Sequence, residues 1–344
     1  MRGRFTQDPF ALSGAREGRV EVPQTRDTVR TEHSGASHGV EVPAAPWGTA
    51  IRARFPDGRW HFQHGPIDLI IGADGAQPAI DNAIELAWTR FQTILVELVG
   101  ELTTLRQPVE QPIDLKGPIG CRMFEACWPH RMQFITPMAA VAGAVADELI
   151  PLFRADPAIT RAYVNNGGDI ALHLAPGQRY RVGLYADLGR IKRREITGLD
   201  GDFEVTAEMP VRGVATSGWR GRSFSLGIAD SVTILAATAA QADAAATMIA
   251  NSVNVDDPMI RRAPANTLKD DTDLGDRLVT VEVGRLSASK IEAALERGAR
   301  HAADLCATGR VRGAILWLQD EVRVVGLQPL PAAQGWACNA RPRR

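Results

Sequence analysis

The stretch Val214–Val253, VATSGWRGRSFSLGIADSVTILAATAAQADAAATMIANSV, limits the fold more than any other part of the chain. A loop rich in glycine and hydroxyl groups leads into a β-branched run, and the run leads into an alanine-rich helix. A helix with so few bulky side chains presents a small-residue packing face, which lets a neighbouring element come close. Asp243 and Thr247 stand four apart on this helix and so share a face. Both are oxygen donors of the kind a hard cation such as Mg²⁺ prefers. The pair also reads as two solvated polar groups on a packing helix, a common arrangement in soluble proteins.

With 344 residues, the chain can hold one large or two ordinary domains. Its 45% hydrophobic content is enough to bury a sizeable core, and a net charge of −1 gives no bulk attraction for nucleic acid or an anionic membrane. Cys121, Cys127, Cys306 and Cys338 lack the paired spacing of a zinc site, so reduced thiols in a cytoplasmic setting are expected. No run of apolar residues is long enough to span a membrane. The first residues lack the apolar core of a secretory signal, and Asp8, Glu17, Glu21 and Asp27 interrupt the arginines of any transit-like pattern.

Residues 1–45 carry almost no hydrophobic periodicity and are expected to form a disordered tail, as are residues 329–344 at the other end. The ordered domain is expected over 46–328, with no internal linker to divide it. GTAIRARF and WHFQH flank Pro56-Asp57-Gly58 and predict a hairpin, with IDLIIGA as a third strand. A glycine-rich turn over 72–76 should open a long helix. Its stripe, Ile80, Ile84, Ala87, Phe91, Ile94, Leu98, Leu102 and Leu105, advances in steps of three and four until Pro108. His130, beside Arg122 and Arg131, reads as a half-exposed helix end or as a basic anion-binding spot. A smooth, alanine-rich helix should run from Pro137 to Phe153. RAYVNNGGDIALHLA and RYRVGLYA predict two strands of one sheet, the first kinked at Asn165–Asp169. EVTAEM, VRGVAT and RLVTVEVG add strands, residues 254–276 a long loop, and SASKIEAALERGARHAADLC an amphipathic helix before a final hairpin. Hairpins with separate helices, lacking regular alternation, argue for an α+β fold of packed layers, with mixed or antiparallel sheet and two lobes. A homodimer would cover the smooth helix and the sheet edges.

Three short segments occur in a telling order: NNGGDI at Asn165–Ile170, ATSG at Ala215–Gly218, and ADAAAT at Ala242–Thr247. Together they resemble the marks of the ApbE superfamily, the FAD:protein FMN transferases. PIDLIIGADG, FITPMAAVAGAVADE and GRSFSLGIADSVTILA extend the likeness to an uncharacterised ApbE-like family, from about Trp47 to Leu327. The resemblance implies an ApbE-like layered fold with FAD, or another flavin nucleotide, and Mg²⁺ between its lobes. It implies Asp243, Thr247 and a backbone carbonyl near Val141 as metal ligands. Asn166, Gly167, Gly168, Asp169, Thr216, Ser217 and Gly218 would be the cofactor-binding turns.

Two departures stand out. The transferases carry a lysine where this chain has Ala142, and a histidine where it has Gly227, and the loop that follows their motif aspartate is missing after Asp230. Phosphoryl-type transfer depends on positioning and charge neutralisation, so both losses weaken it. Asp230 and Arg222 remain the candidates for a catalytic role, since Arg220 or Arg222 could offer a forked donor to a phosphate or could simply be solvated. The expectation is therefore a small nucleotide-type ligand, bound either by a diverged flavinyl or nucleotidyl transferase or by a non-catalytic flavin or pterin-type carrier in a redox or one-carbon pathway.

Overall fold

A computed structural model of the chain describes residues 12–13, 47–184 and 201–326. The two terminal tails expected from the sequence fall outside these residues, apart from Leu12–Ser13 (β1). Ile51–Arg54 (β2) and Trp60–His64 (β3) form the expected hairpin, closed by Phe55 N donating to Arg59 O at 2.8 Å. Ile67–Gly75 (β4) pairs with β3 and absorbs most of the expected glycine turn. Gly72 lies opposite Tyr163, and a Cβ there would come within 2.5 Å of the Tyr163 ring, so this glycine serves packing rather than turning.

Helix α1, Gln77–Gly100, buries Ile84, Ala87, Phe91, Ile94 and Leu98 along the expected stripe. It ends before the stripe does. The chain breaks at Glu101, whose carboxylate accepts from the Lys116 and Gly117 amides, and Leu102–Leu105 (α2) is a separate turn. Pro118–Cys127 (α3) follows, and Pro137–Ala140 makes a 3₁₀ turn that leads into Val141–Arg154 (α4). The helix expected from Pro137 therefore starts tight and widens.

The largest departure lies at Asn165–Asp169. The expected kinked strand is a two-residue hairpin: Ile159–Asn166 (β5) pairs antiparallel with Asp169–Leu174 (β6), and Asn166 faces Asp169. Gly167 and Gly168 have φ of 66° and 117°, and two consecutive positive-φ residues reverse a chain instead of bending it. Arg179–Leu184 (β7) accordingly does not extend β6. It pairs with Gly201–Thr206 (β8) and with β1 in a separate sheet.

Gly213–Ser217 (β9), Ser231–Ala236 (β10) and Ala239–Ser252 (α5) form the alanine-rich stretch. The expected loop at 254–276 contains a strand, Ile260–Pro264 (β11), which pairs with Leu278–Val283 (β12). Ala288–Ala307 (α6) and the hairpin of Gly313–Leu318 (β13) and Glu321–Val325 (β14) complete the described elements.

One antiparallel sheet of nine strands runs in the order β14-β13-β10-β9-β6-β5-β4-β3-β2. Successive residues point to opposite faces. Leu69, Ile71, Val164 and Ala171 pack under α1, α3 and α4, whereas Ile70, Tyr163, Ile170 and Leu172 pack against the β7–β8 sheet. A second helix group, α5 and α6, covers β10 and β13 on the helical face. The result is a layered α+β fold in which two helix-covered halves share one continuous sheet. No helix among the described residues is long and apolar enough to cross a membrane.

Candidate functional site

Helices α4 and α5 cross closely enough that only glycine fits at Gly143, where a Cβ would meet Ala239 O at 2.3 Å. The crossing lets each helix cap the other. Asp147 of α4 accepts from the Ala239 and Ala240 amides at 3.0 and 2.8 Å, at the start of α5. Asp243 of α5 accepts from the Gly143 amide at 3.0 Å, and Ala142 supports it too, at the start of α4. Amides at a helix N-terminus lack intrahelical partners and carry partial positive charge, so a carboxylate is stabilising there.

The hairpin turn reaches the same place. Asn166 Nδ2 donates to Ala142 O at 3.2 Å, and the Asn165 side chain accepts from the Gly168 amide at 2.8 Å. Asp169 Oδ1 accepts from the Thr216 amide at 3.2 Å, which ties the GGD turn to the TSG segment. Thr216 Oγ1 pairs with Thr233 Oγ1 at 2.9 Å across β9 and β10. Gly218 must be glycine because a Cβ would lie 2.4 Å from Asp230 O. The Arg222 guanidinium lies over Gly167, where a Cβ would be 1.3 Å from Nη2.

Electrostatics mark the site. Burial pushes the Asp169 carboxyl up to about 7, against the Thr216 amide and the field of Arg222. Burial and the charge of Asp169 push Asp243 well above the usual carboxylate range. These two acids, distant in the chain, therefore oppose each other's ionisation. Thr247 sits one turn beyond Asp243, half-buried, and Val141 opens α4 beside the crossing. Among the described residues no group of three or more His, Cys, Asp or Glu side chains is arranged to hold a metal. A cation here would need hydroxyl or backbone oxygens beside the two carboxylates.

Other candidates are placed differently. Asp230 has its oxygens engaged: Oδ1 accepts from Trp219 Nε1 at 3.1 Å and lies 3.6 Å from Arg220 Nε, while Oδ2 accepts from the Gln319 amide at 2.5 Å. That pattern anchors the loop after Gly218. His130 is buried rather than half-exposed, and burial, with His301 and Arg310, lowers it to about 4. It is therefore neutral and offers no basic spot, and its neighbour Arg122 is paired with Glu148 at 2.9 Å. Cys127 is buried, and burial with the charges of Asp243 and Asp273 holds its thiol protonated. Sequence reasoning did not anticipate Asp273, which accepts from Thr136 just before the 3₁₀ turn. Its long-range contact leaves no local pattern. The Asp147 cap had a trace only in its spacing after Gly143.

The family model described as AbpE bacteria matches residues 52–324. A UPF0280 protein of Methanothermobacter thermautotrophicus is 37% identical over 155 residues, which are 45% of this chain and 55% of that protein. A second, of Methanothrix thermoacetophila, is 35% identical over 150 residues, 43% and 58% of the two chains. The chain thus spans little more than half the length of these relatives. A flavin transferase ApbE from Vibrio cholerae, compared as a structure, gives a TM-score of 0.33 at 12% identity, over 85% of this chain and 97% of that one. The match of the family model over most of the sequence places the chain in the AbpE bacteria family, an uncharacterised ApbE-like family.

Proposed function

We propose that the chain binds a flavin-type nucleotide such as FAD together with a divalent cation, Mg²⁺ by its oxygen donors, where α4, α5 and the two turns meet. The observation that carries this reading is the convergence of Asp169 and Asp243 beside a glycine turn and a forked arginine. Two half-buried carboxylates that resist joint ionisation gain most from a bound cation, which neutralises both. Asp243, Thr247 and the Val141 carbonyl would hold the metal. Asn166, Gly167, Gly168, Asp169, Thr216, Ser217 and Gly218 would line the nucleotide, with Gly167 leaving room for close approach. Arg222, exposed above Gly167, would steady the phosphates, and Asp230 would position the loop that carries it. When bound, the cation would supply charge neutralisation at the phosphates. The ligand of this reading is a small molecule and not a nucleic acid or a membrane, in a cytoplasmic protein that can pair as a homodimer.

One observation favours a carrier or an altered chemistry over FMN transfer. At Gly227, where the transferases have histidine, a Cβ would lie 2.0 Å from Ala250 O, so the backbone leaves no room for that side chain. FAD titrated by flavin fluorescence, with and without Mg²⁺, tests the reading. Saturable binding tightened at least about tenfold by Mg²⁺, with the gain lost in Asp243→Ala, is expected for one charge-assisted metal contact. No saturable binding in either condition refutes it. AMP released from FAD identifies a transferase, and intact FAD a carrier.

A further inference from the structure

A cavity of about 410 Å³ lies away from the carboxylate site. Arg154, Ile159, His173, Pro176 and Arg212 are among the residues that line it. His173 is four residues along β6 from Asp169, about 13 Å at the rise of a strand. Arg154 ends α4, and Gly143 at its start is about 16 Å away along the helix. The cavity therefore occupies the opposite end of the elements that build the first site.

Its polar groups are basic. Arg212 is half-buried, and its guanidinium is pinned: Nη1 donates to Met209 O and Val211 O at 2.8 and 2.6 Å, and Nη2 to Ala207 O at 2.7 Å. Three of its five donor protons are spent this way, and the rest stay fixed in direction. Arg154 is exposed at the cavity and has no carboxylate at ion-pair distance among the described residues. His173 Nε2 donates to Ile159 O at 3.0 Å, which leaves Nδ1 as the ring's second polar atom. The two arginines act on His173 as like charges, and Arg154 acts so on Arg212. Glu208, exposed and bonded to the Gly177 amide, is the acid that acts on Arg212, and it does not line the cavity. Pro157 and Pro176, both exposed, supply apolar wall over the buried Ile159 and Leu174.

We propose that this cavity binds a small anionic molecule through an oxyanion group, a phosphate or a carboxylate, held by Arg154 and Arg212 with its apolar body against Pro157 and Pro176. A fixed half-buried arginine and a second, unpaired one make a site that repels itself until an anion enters. The volume exceeds what inorganic phosphate needs and suits an anion carried on a ring.

The test follows the ring nitrogens of His173 by NMR, assigned with His173→Gln, while inorganic phosphate, phenyl phosphate and benzoate are titrated at constant ionic strength. Saturable shifts at His173, weakened at least about tenfold in Arg154→Gln, are expected for the loss of one charge-assisted contact. Arg154→Gln changes an exposed side chain, so it tests the site without risking the fold as Arg212→Gln would. If phenyl phosphate binds more tightly than benzoate, the group is a phosphate, and the reverse order makes it a carboxylate. Absence of saturation in the wild type, equal binding by Arg154→Gln, or loss of binding in Asp243→Asn that keeps the wild-type circular dichroism would overturn the proposal. The last outcome would place the anion at the carboxylate site, so this test stands apart from the one for flavin binding.

Discussion

Helix α4 and the β5–β6 hairpin end in opposite chemistry. At the N-terminus of α4 and the glycine turn, Asp169 and Asp243 crowd together, with backbone amides as their donors. At the C-terminus of α4 and the far end of the hairpin, Arg154, Arg212 and His173 surround a cavity. The helix dipole favours this order, acids at its start and a cation in its last turn. The difference lies in how the charges are held. Asp243 is locked into the crossing of two helices and Asp169 is tied to the Thr216 amide, whereas Arg154 is exposed and has no carboxylate at ion-pair distance among the described residues. Changes at the acid end should therefore disturb folding, and a change at Arg154 should disturb only binding.

The largest effect is expected at the crossing. Gly143→Val places a side chain into Ala239 backbone that cannot move without separating α4 from α5. Overpacking typically costs ~1–3 kcal/mol and occasionally more, and a backbone clash puts this substitution at about 3 kcal/mol or beyond. Urea unfolding measures it, and a loss under about 1 kcal/mol would show a looser crossing than the caps imply.

The acid end should next show itself through pH. Asp169 is raised to about 7 in the folded protein, while an unfolded aspartate keeps its ordinary range near 3.8. Between those values the folded state holds a proton that the unfolded state has released. Stability is thus fully present below the ordinary aspartate range and falls as pH rises to about 7. Asp169→Asn, which can still accept from Thr216, should flatten that slope. Thermal unfolding across pH 4 to 8 decides it, and a wild-type profile that rises with pH in this window would contradict the shared burial of the two acids.

The caps give a smaller effect. Asp147→Ala leaves the Ala239 and Ala240 amides without their acceptor, and unsatisfied helix-end donors cost about 2 kcal/mol. Hydrogen exchange at those two amides should accelerate more than exchange elsewhere in α5. Uniform acceleration would mean that the cap supports the whole fold rather than the start of one helix.

How much of this was legible in the sequence depended on the range of each cause. The stripe from Ile84 to Leu98 and the Pro56-Asp57-Gly58 hairpin are local, and both formed as their spacing predicts. The Gly167-Gly168 turn is local too, yet the sequence predicts a kink there, because consecutive glycines permit either and only the β5–β6 pairing selects a hairpin. The strand β11 is hidden in a polar segment, since Ile260 is its one buried residue and its pairing with β12 is non-local. Asp243 was visible as a suggestive carboxylate. Its bond to Gly143 and its opposition to Asp169 were not, because both depend on a crossing that no spacing encodes.

The smallest stability effect is expected at the basic end. Arg154→Gln removes an exposed charge with no ion-pair partner among the described residues, and such surface changes usually stay within about ±0.5 kcal/mol. The sign is informative. Without an anion, the repulsion relieved at His173 and Arg212 should at least offset the solvent-screened helix-dipole contact of the exposed Arg154, so the variant should be equal to or slightly more stable than the wild type. With a saturating anion the order should reverse, because binding to the folded state adds stability only where the site is intact. Paired urea curves with and without phenyl phosphate read both signs in one protein. A variant less stable than wild type without anion would mean that Arg154 props up the end of α4, and the contrast between a locked acid end and a free basic end would fail there.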